Sequence, residues 1–141
     1  MRPNQVSTAA TDQDVMQIGE LADRIGLSLR TIRYYGEVGL VPPTARSDGG
    51  FRLYTESDLE RFVVIKRMKP LGFSLDEMRE VLDLLDVLAD PDTDPVARRT
   101  TTARLAVFGE LAQERIAELR QQLSSAEALA RTFDSSTHDI A

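Results

Sequence analysis

The 141-residue sequence predicts a mainly α-helical chain, in which a small helix-turn-helix head with a short β-hairpin precedes a long coiled-coil helix. Three observations predict it. Two short amphipathic segments meet at a glycine turn. Capping signals then open two further helices, and a strict apolar repeat runs along the last part of the chain.

The first patterned segment is Ile18-Gly-Glu-Leu-Ala-Asp-Arg-Ile-Gly26. Ile18, Leu21, Ala22 and Ile25 recur at i, i+3, i+4 and i+7, the spacing of one buried helical face. Gly26 can adopt the left-handed conformation that closes a helix. Ser28 offers a hydroxyl cap to a second helix, from Leu29 to about Val38, which Gly39 ends. Two short helices across such a turn match a helix-turn-helix in outline, an outline shared with other helical hairpins.

After Pro42-Pro43 the pattern changes. Thr44-Ala-Arg46 and Phe51-Arg-Leu-Tyr54 are short strand candidates on either side of Ser47-Asp-Gly-Gly50, a turn-rich stretch that suits a hairpin. Thr55 and Asp58 resemble a capping box for a third helix, with Leu59, Phe62, Val63 and Ile65 among its apolar residues. Pro70 should stop that helix near Lys69. Ser74 and Glu77 form a second capping box, and Leu75, Met78, Val81, Leu82 and Leu85 give the fourth helix its apolar face.

Composition shifts set the remaining boundaries. Residues 1–15 are polar and rich in small residues and read as a disordered tail, with Met16 a candidate start. The head spans residues 16–88, and residues 89–95, with Asp90-Pro-Asp-Thr-Asp-Pro95, form a linker. A coiled-coil helix is expected over residues 96–133. Its apolar positions Ala112, Ile116, Leu119, Leu123, Ala126, Ala130 and Phe133 are spaced 4, 3, 4, 3, 4 and 3, the seam of a helix that needs a partner. Pairing with a second copy is the simple answer; packing back on its own domain is the other. Residues 134–141 look frayed.

Composition narrows the chemistry. There is no cysteine, which removes disulfides, cysteine-type zinc fingers, iron–sulfur clusters and thiol sensing. No apolar run approaches the ~20 residues that span a bilayer, and no signal peptide precedes the first helix, so a cytoplasmic protein without a membrane partner is expected. No catalytic residues stand out: a structured histidine base, a phosphate-binding glycine loop and paired carboxylates in an apolar setting are all missing. Asp90, Asp92 and Asp94 have the start of a calcium-loop spacing, but Pro95 stands where that loop needs glycine and Thr101 where it needs glutamate. His138, the single histidine, makes a poor metal site beside Asp134 and Asp139. Neither a metal nor another cofactor is expected.

Five pieces in register resemble the MerR family of bacterial regulators: Ile18-Gly-Glu-Leu-Ala, Arg30-Thr-Ile-Arg-Tyr-Tyr35, Gly39-Leu40, Gly50-Phe-Arg-Leu-Tyr54 and Leu71-Gly-Phe-Ser-Leu75. They run from about Met16 to Leu85, with a compatible coiled coil beyond. The resemblance implies a winged helix-turn-helix DNA-binding domain whose second helix enters the major groove while the loops act as wings on the backbone. Gly36 departs from the family, which usually has an acidic residue after the tyrosine pair, and Pro70 departs just before the second wing.

Side-chain chemistry agrees with that expectation. Arg30, Thr31, Arg33 and Tyr34 crowd a short helix with donors that phosphates and guanine edges accept. Tyr35 is divided between a DNA contact, which the family's Arg-aromatic-Tyr run implies, and a core position, since helical spacing suggests that Ile32 faces the core and Tyr35 at most in part. Arg46 and Arg52 flank the hairpin, Gly49-Gly50 lets backbone approach a phosphate, and Phe51 and Tyr54 sit where the family places an aromatic at the backbone. Lys66, Arg67 and Lys69 form the densest basic cluster. The net charge of −6 is unevenly spread, with +1 over residues 16–79 and −6 over residues 80–141, so the head is free to approach phosphate.

The resemblance implies the partners: double-stranded DNA bearing a pseudo-palindromic promoter element, a second copy of the chain, RNA polymerase, and a small-molecule effector. It likewise implies the function of a dimeric regulator that distorts a promoter spacer in activation or repression. An architectural or adaptor protein without promoter switching is the alternative.

Overall fold

Helix caps written into the sequence set most of the element boundaries. The computed structural model describes residues 14–140, with side chains described through residue 138. In chain order it contains β1 (Val15–Gln17), α1 (Ile18–Ile25), α2 (Leu29–Glu37), β2 (Ala45–Arg46), β3 (Arg52–Thr55), α3 (Glu56–Met68), a 3-10 turn (Lys69–Leu71), α4 (Leu75–Ala89) and α5 (Pro95–Ile140). The chain is mainly helical with one small sheet.

Ser28 Oγ accepts the amide of Thr31 at 3.1 Å and starts α2. Thr55 Oγ1 accepts the amide of Asp58 at 3.1 Å while Asp58 Oδ2 accepts that of Thr55 at 3.0 Å. Ser74 and Glu77 reciprocate in the same way ahead of α4, at 3.1 and 2.8 Å. Each cap satisfies amides that the first helical turn leaves without partners. Gly26 ends α1 at φ +70°, where an L side chain would be strained.

The sheet has three antiparallel strands in the order β1-β3-β2, with Met16 opposite Tyr54 and Ala45 opposite Leu53. The hairpin was expected; β1 was not. The expected tail lies outside the described residues as far as residue 13, and its end is corrected, because Val15 is a strand residue opposite Thr55. A three-residue strand with no alternation of its own forms because β3 offers it an open edge.

The chain divides into two compact units within α4, between Leu82 and Asp83. The core of the first is built from Leu21 and Ile25 of α1, Ile32 and Tyr35 of α2, Tyr54 of β3, Phe62 and Ile65 of α3, and Met78 and Leu82 of α4, all buried. Each of the larger side chains contributes about 1.5–3 kcal/mol by leaving water. The rings of Tyr54 and Phe62 meet edge-on at 6.1 Å, and Tyr35 lies 6.3 Å from Phe62. Asp58 is buried as well, and its Oδ2 also accepts the hydroxyl of Thr44, which ties the entry of the hairpin to α3.

In the second unit the end of α4 is closed by side chains from beyond it. Thr93 Oγ1 donates to the carbonyl of Val87 at 2.7 Å, and Arg98 donates to those of Leu88 and Asp90 at 3.1 and 2.9 Å. Asp94 Oδ1 accepts the amide of Ala97 at 2.9 Å and so caps α5. Pro95 is thus corrected from linker to first helical residue, where its missing N–H costs nothing. The expected frayed end, residues 134–141, is likewise helical through Ile140, supported by Ser136 and Thr137 hydroxyls bonded to the carbonyls of Thr132 and Phe133. The 46 residues of α5 make it about 69 Å long.

The seam expected on α5 is uncovered over its second half. Ala112 and Ile116 are half-buried, whereas Leu119, Leu123, Ala126, Ala130 and Phe133 are exposed, and Leu129 widens the stripe. Among the described residues no helix is long and apolar enough to cross a membrane.

Candidate nucleic-acid interface

The second helix has two faces with different chemistry. Ile32 and Tyr35 turn inward and are buried, which leaves Arg30, Arg33 and Tyr34 outward and exposed. Thr31 is half-buried, its hydroxyl 2.8 Å from that of Ser28 at the helix start. A short helix held by its apolar face therefore presents two guanidinium groups and a phenol, a set that can reach both phosphate oxygens and base edges.

The hairpin tip is locked by its own backbone. The amide of Ser47 donates to the carbonyl of Phe51 at 2.9 Å, and that of Gly50 to the carbonyl of Ser47 at 2.8 Å. Arg46 Nη1 donates to the carbonyl of Gly50 at 3.1 Å across the turn. Gly50 has φ +81°, so glycine is required there by conformation. A side chain at Gly49 would crowd the ring of Phe51, which would have to shift slightly; Phe51 is 62% exposed. The tip offers water an arginine, an aromatic ring and bare backbone.

Tyr54 and Tyr35 are placed differently from the expected contact residues. Tyr54 is fully buried and its hydroxyl has no hydrogen-bond partner among the described residues, while Tyr35 is 3% exposed. Burial pushes both phenols above their ordinary value. The reason for both placements is the same: α2 and β3 each have one face against Phe62 of α3. These two tyrosines support the exposed residues beside them. The rise that burial causes at the Tyr54 hydroxyl is opposed by the positive charges of Arg52, Arg46 and Arg33, while the negative charge of Asp58 adds to it.

The basic cluster at the end of α3 splits. Lys66 Nζ donates to the carbonyl of Ile25 at 2.7 Å and so holds the end of α1, a bond that the sequence reading did not anticipate. Arg67 and Lys69 are exposed. Opposite charge also joins α1 to α3 directly, where Arg24 grips Glu56 through two bonds of 2.5 and 3.0 Å.

Arg79 is the residue that the motif reading passed over. Its guanidinium donates to the carbonyls of Gly39 and Val38, each at 3.0 Å, at the exit of α2. No local pattern signals it, because the partners lie about forty residues away. The aspartates of the linker serve the backbone: Asp90 Oδ1 accepts the amide of Asp92 at 2.9 Å, and Asp94 caps α5. Among the described residues no three His, Cys, Asp or Glu side chains converge as a metal site.

Comparison with known proteins places this arrangement. The chain matches the family model described as MerR HTH family regulatory protein over residues 16–85, and the one described as MerR, DNA binding over residues 59–135. It is 44% identical over 70 residues to the mercuric resistance operon regulatory protein of Bacillus cereus, and the match covers 50% of this chain and 53% of that protein. The chain thus spans about half the length of that relative. It is 40% identical over 116 residues to the HTH-type transcriptional regulator ZntR of Escherichia coli strain K12, covering 80% of this chain and 77% of ZntR. Among solved structures, that of HiNmlR, described as a MerR family regulator lacking the sensor domain and bound to promoter DNA, superposes with a TM-score of 0.65. That alignment covers 87% of this chain and 93% of HiNmlR at 23% identity, a likeness of fold alone.

Proposed function

Because the chain belongs to the MerR family of DNA-binding transcription regulators, we propose that it works as a homodimer that binds and distorts a promoter spacer. The observation that carries this reading is the outward face of α2, where Arg30, Arg33 and Tyr34 stand exposed. In this reading α2 enters the major groove, with Arg30, Arg33 and Tyr34 at base edges and phosphates and Thr31 at the helix start. Arg46, Arg52, Phe51 and the backbone at Gly50 hold the phosphates of one flank, and Arg67 and Lys69 those of the other. Lys66 contributes by fixing α1, and Tyr35 and Tyr54 by fixing α2 and the hairpin.

The uncovered seam of α5 supports pairing of two copies, which in turn calls for a pseudo-palindromic site. Two half-sites gripped by a rigid dimer bend and untwist the duplex between them. That deformation costs on the order of a few kcal/mol, which the phosphate contacts offset. RNA polymerase then engages a spacer it could not otherwise use, in the cytoplasm where it meets the chromosome. Repression is the same dimer holding the spacer undistorted.

One relative is named for mercuric resistance, and an effector is proposed here as well. These 141 residues contain no cysteine, so they offer no thiolate through which a metal signal could enter. A small molecule bound by the helices of the dimer fits the sequence better. The test is footprinting of the purified protein on DNA upstream of its own gene. Protection centred between the promoter elements, with hypersensitive bases at its middle, is expected. Protection without central hypersensitivity would point to an architectural or adaptor role, and binding no better than to random duplex would overturn this promoter as the target.

A further inference from the structure

The last turn of α2 is made of weak parts. Gly36 has more backbone freedom to lose than any other residue type, and Glu37 puts a negative charge at the negative end of the helix dipole. No basic residue stands in that turn to balance it. The backbone closes part of the end. The amides of Val38, Leu40 and Val41 fold back on the carbonyls of Tyr34 and Tyr35, and that of Gly39 on Gly36. Beyond them, the carbonyls of Val38 and Gly39 accept the two arms of the Arg79 guanidinium, each at 3.0 Å.

A guanidinium suits this place for two reasons. Its planar fork holds two acceptors in a fixed mutual geometry, which a lysine ammonium cannot do, and its charge complements the helix dipole. Arg79 is itself anchored: it is half-buried on α4, between the buried residues Met78 and Val81. Gly39, at φ +75°, brings its backbone against the guanidinium, where even an added Cβ would lie 3.8 Å from Nη1.

We propose that Arg79 is a positioning residue for DNA reading, whose two-armed grip on Val38 and Gly39 fixes the pitch at which α2 presents Arg30, Arg33 and Tyr34. The proposal rests on the reading that α2 enters the major groove. Contacts to base edges tolerate less displacement than contacts to phosphate, which long basic side chains can follow. Loss of the grip therefore weakens binding to a preferred sequence more than binding to an arbitrary one. It also supplies a reason why glycine is tolerated at position 36, since the stiffness absent from the helix is provided from α4.

The test uses the full chain in five forms: wild type, Arg79→Met, Arg79→Lys, Gly36→Ala and the Gly36→Ala/Arg79→Met double variant. Alanine fits at position 36, where its Cβ would meet the carbonyl of Val41 at 3.7 Å and Pro43 at 3.8 Å, both ordinary contacts. Amide hydrogen exchange of the free protein reads the helix exit. Affinity for a duplex enriched from random sequence by the wild type, relative to its scrambled version, reads the recognition. Arg79→Met is expected to speed exchange over residues 38–41 on the order of tenfold, with the amides of Phe62 and Ile65 unchanged, and to lower the affinity ratio by a similar factor. Arg79→Lys should recover only part of the ratio, and Gly36→Ala should restore part of it in the double variant.

Unchanged exchange over residues 38–41 in Arg79→Met overturns the proposal. So does faster exchange with a wild-type affinity ratio, which would make the grip purely structural, or an equal rise at Phe62 and Ile65, which would mean general loosening. The underlying reading fails in a different way: a wild type that enriches no sequence removes specific DNA binding, and with it the role given to Arg79.

Discussion

Leu21, Ile32, Tyr54, Phe62 and Ile65 of the N-terminal unit are each at most 1% exposed, whereas Leu119, Leu123 and Phe133 on α5 are 43%, 60% and 61% exposed. Both sets come from clean apolar patterns, so hydrophobicity alone does not distinguish them. The difference lies in what the rest of the chain supplies. In the first unit three strands and four helical faces converge, and the side chains of these core positions are enclosed among them. Along the second half of α5 no such enclosure is found among the described residues, although Thr101 and Phe108 nearer its start are buried. One pattern is completed within the molecule, and the other is an unfinished surface whose proposed occupant is a second copy.

The comparison breaks most visibly at its closed end. Phe62→Ala should cost about 3–5 kcal/mol, because it opens a cavity against Tyr54 and Tyr35; urea unfolding followed by circular dichroism measures it, and a loss under about 1 kcal/mol would mean the core is misassigned. At the open end, Leu119→Asp should convert a dimer to monomers in light scattering while the head keeps its unfolding transition. A persistent dimer would place the interface elsewhere. Arg33→Ala asks whether the polar face of the head needs its partner as α5 does: operator affinity should fall by about 1–3 kcal/mol with stability unchanged.

Two smaller effects concern the head alone. Thr55→Ala removes the cap of α3 and should lower stability by about 1 kcal/mol in the same urea assay, with no change in oligomeric state. The Arg24–Glu56 pair gives a pH signature. The hydrogen bond from Arg24 holds the Glu56 carboxyl below its ordinary value of 4.5. A depressed carboxylate stabilises the fold above the unfolded value, and that contribution disappears as pH falls through the folded one. Both groups lie at the surface in reach of water and salt, so the effect is small. Melting temperature should fall slightly more on acidification in the wild type than in Glu56→Gln, and added salt should shrink the difference; parallel curves would mean the pair contributes nothing to stability.

Much of the head was legible because its signals are local. Ser28, Thr55 with Asp58, and Ser74 with Glu77 each act within three residues of themselves, and Gly26 and Gly39 stop helices where they stand. What escaped depended on distance along the chain. Val15-Met-Gln17 becomes a strand because β3 lies beside it. Lys66 reads as a basic surface residue until Ile25, 41 positions away, presents its carbonyl. Tyr54 looks like a DNA contact among the other aromatics, yet one side of a four-residue strand must face the core, and it occupies that side. Arg79 had no signal at all, since its partners are backbone atoms.

At Asp58 a single atom holds two structures together. Its Oδ2 accepts both the amide of Thr55, which starts α3, and the hydroxyl of Thr44, which roots the hairpin. In genetic terms the three positions form one locus. Once Asp58 is lost, a change at Thr44 has no bond left to break, so its effect shrinks, and the costs of the separate substitutions do not add. Drift at the root of the hairpin is therefore constrained jointly, while Asp48 at its exposed tip is free to vary without consulting α3.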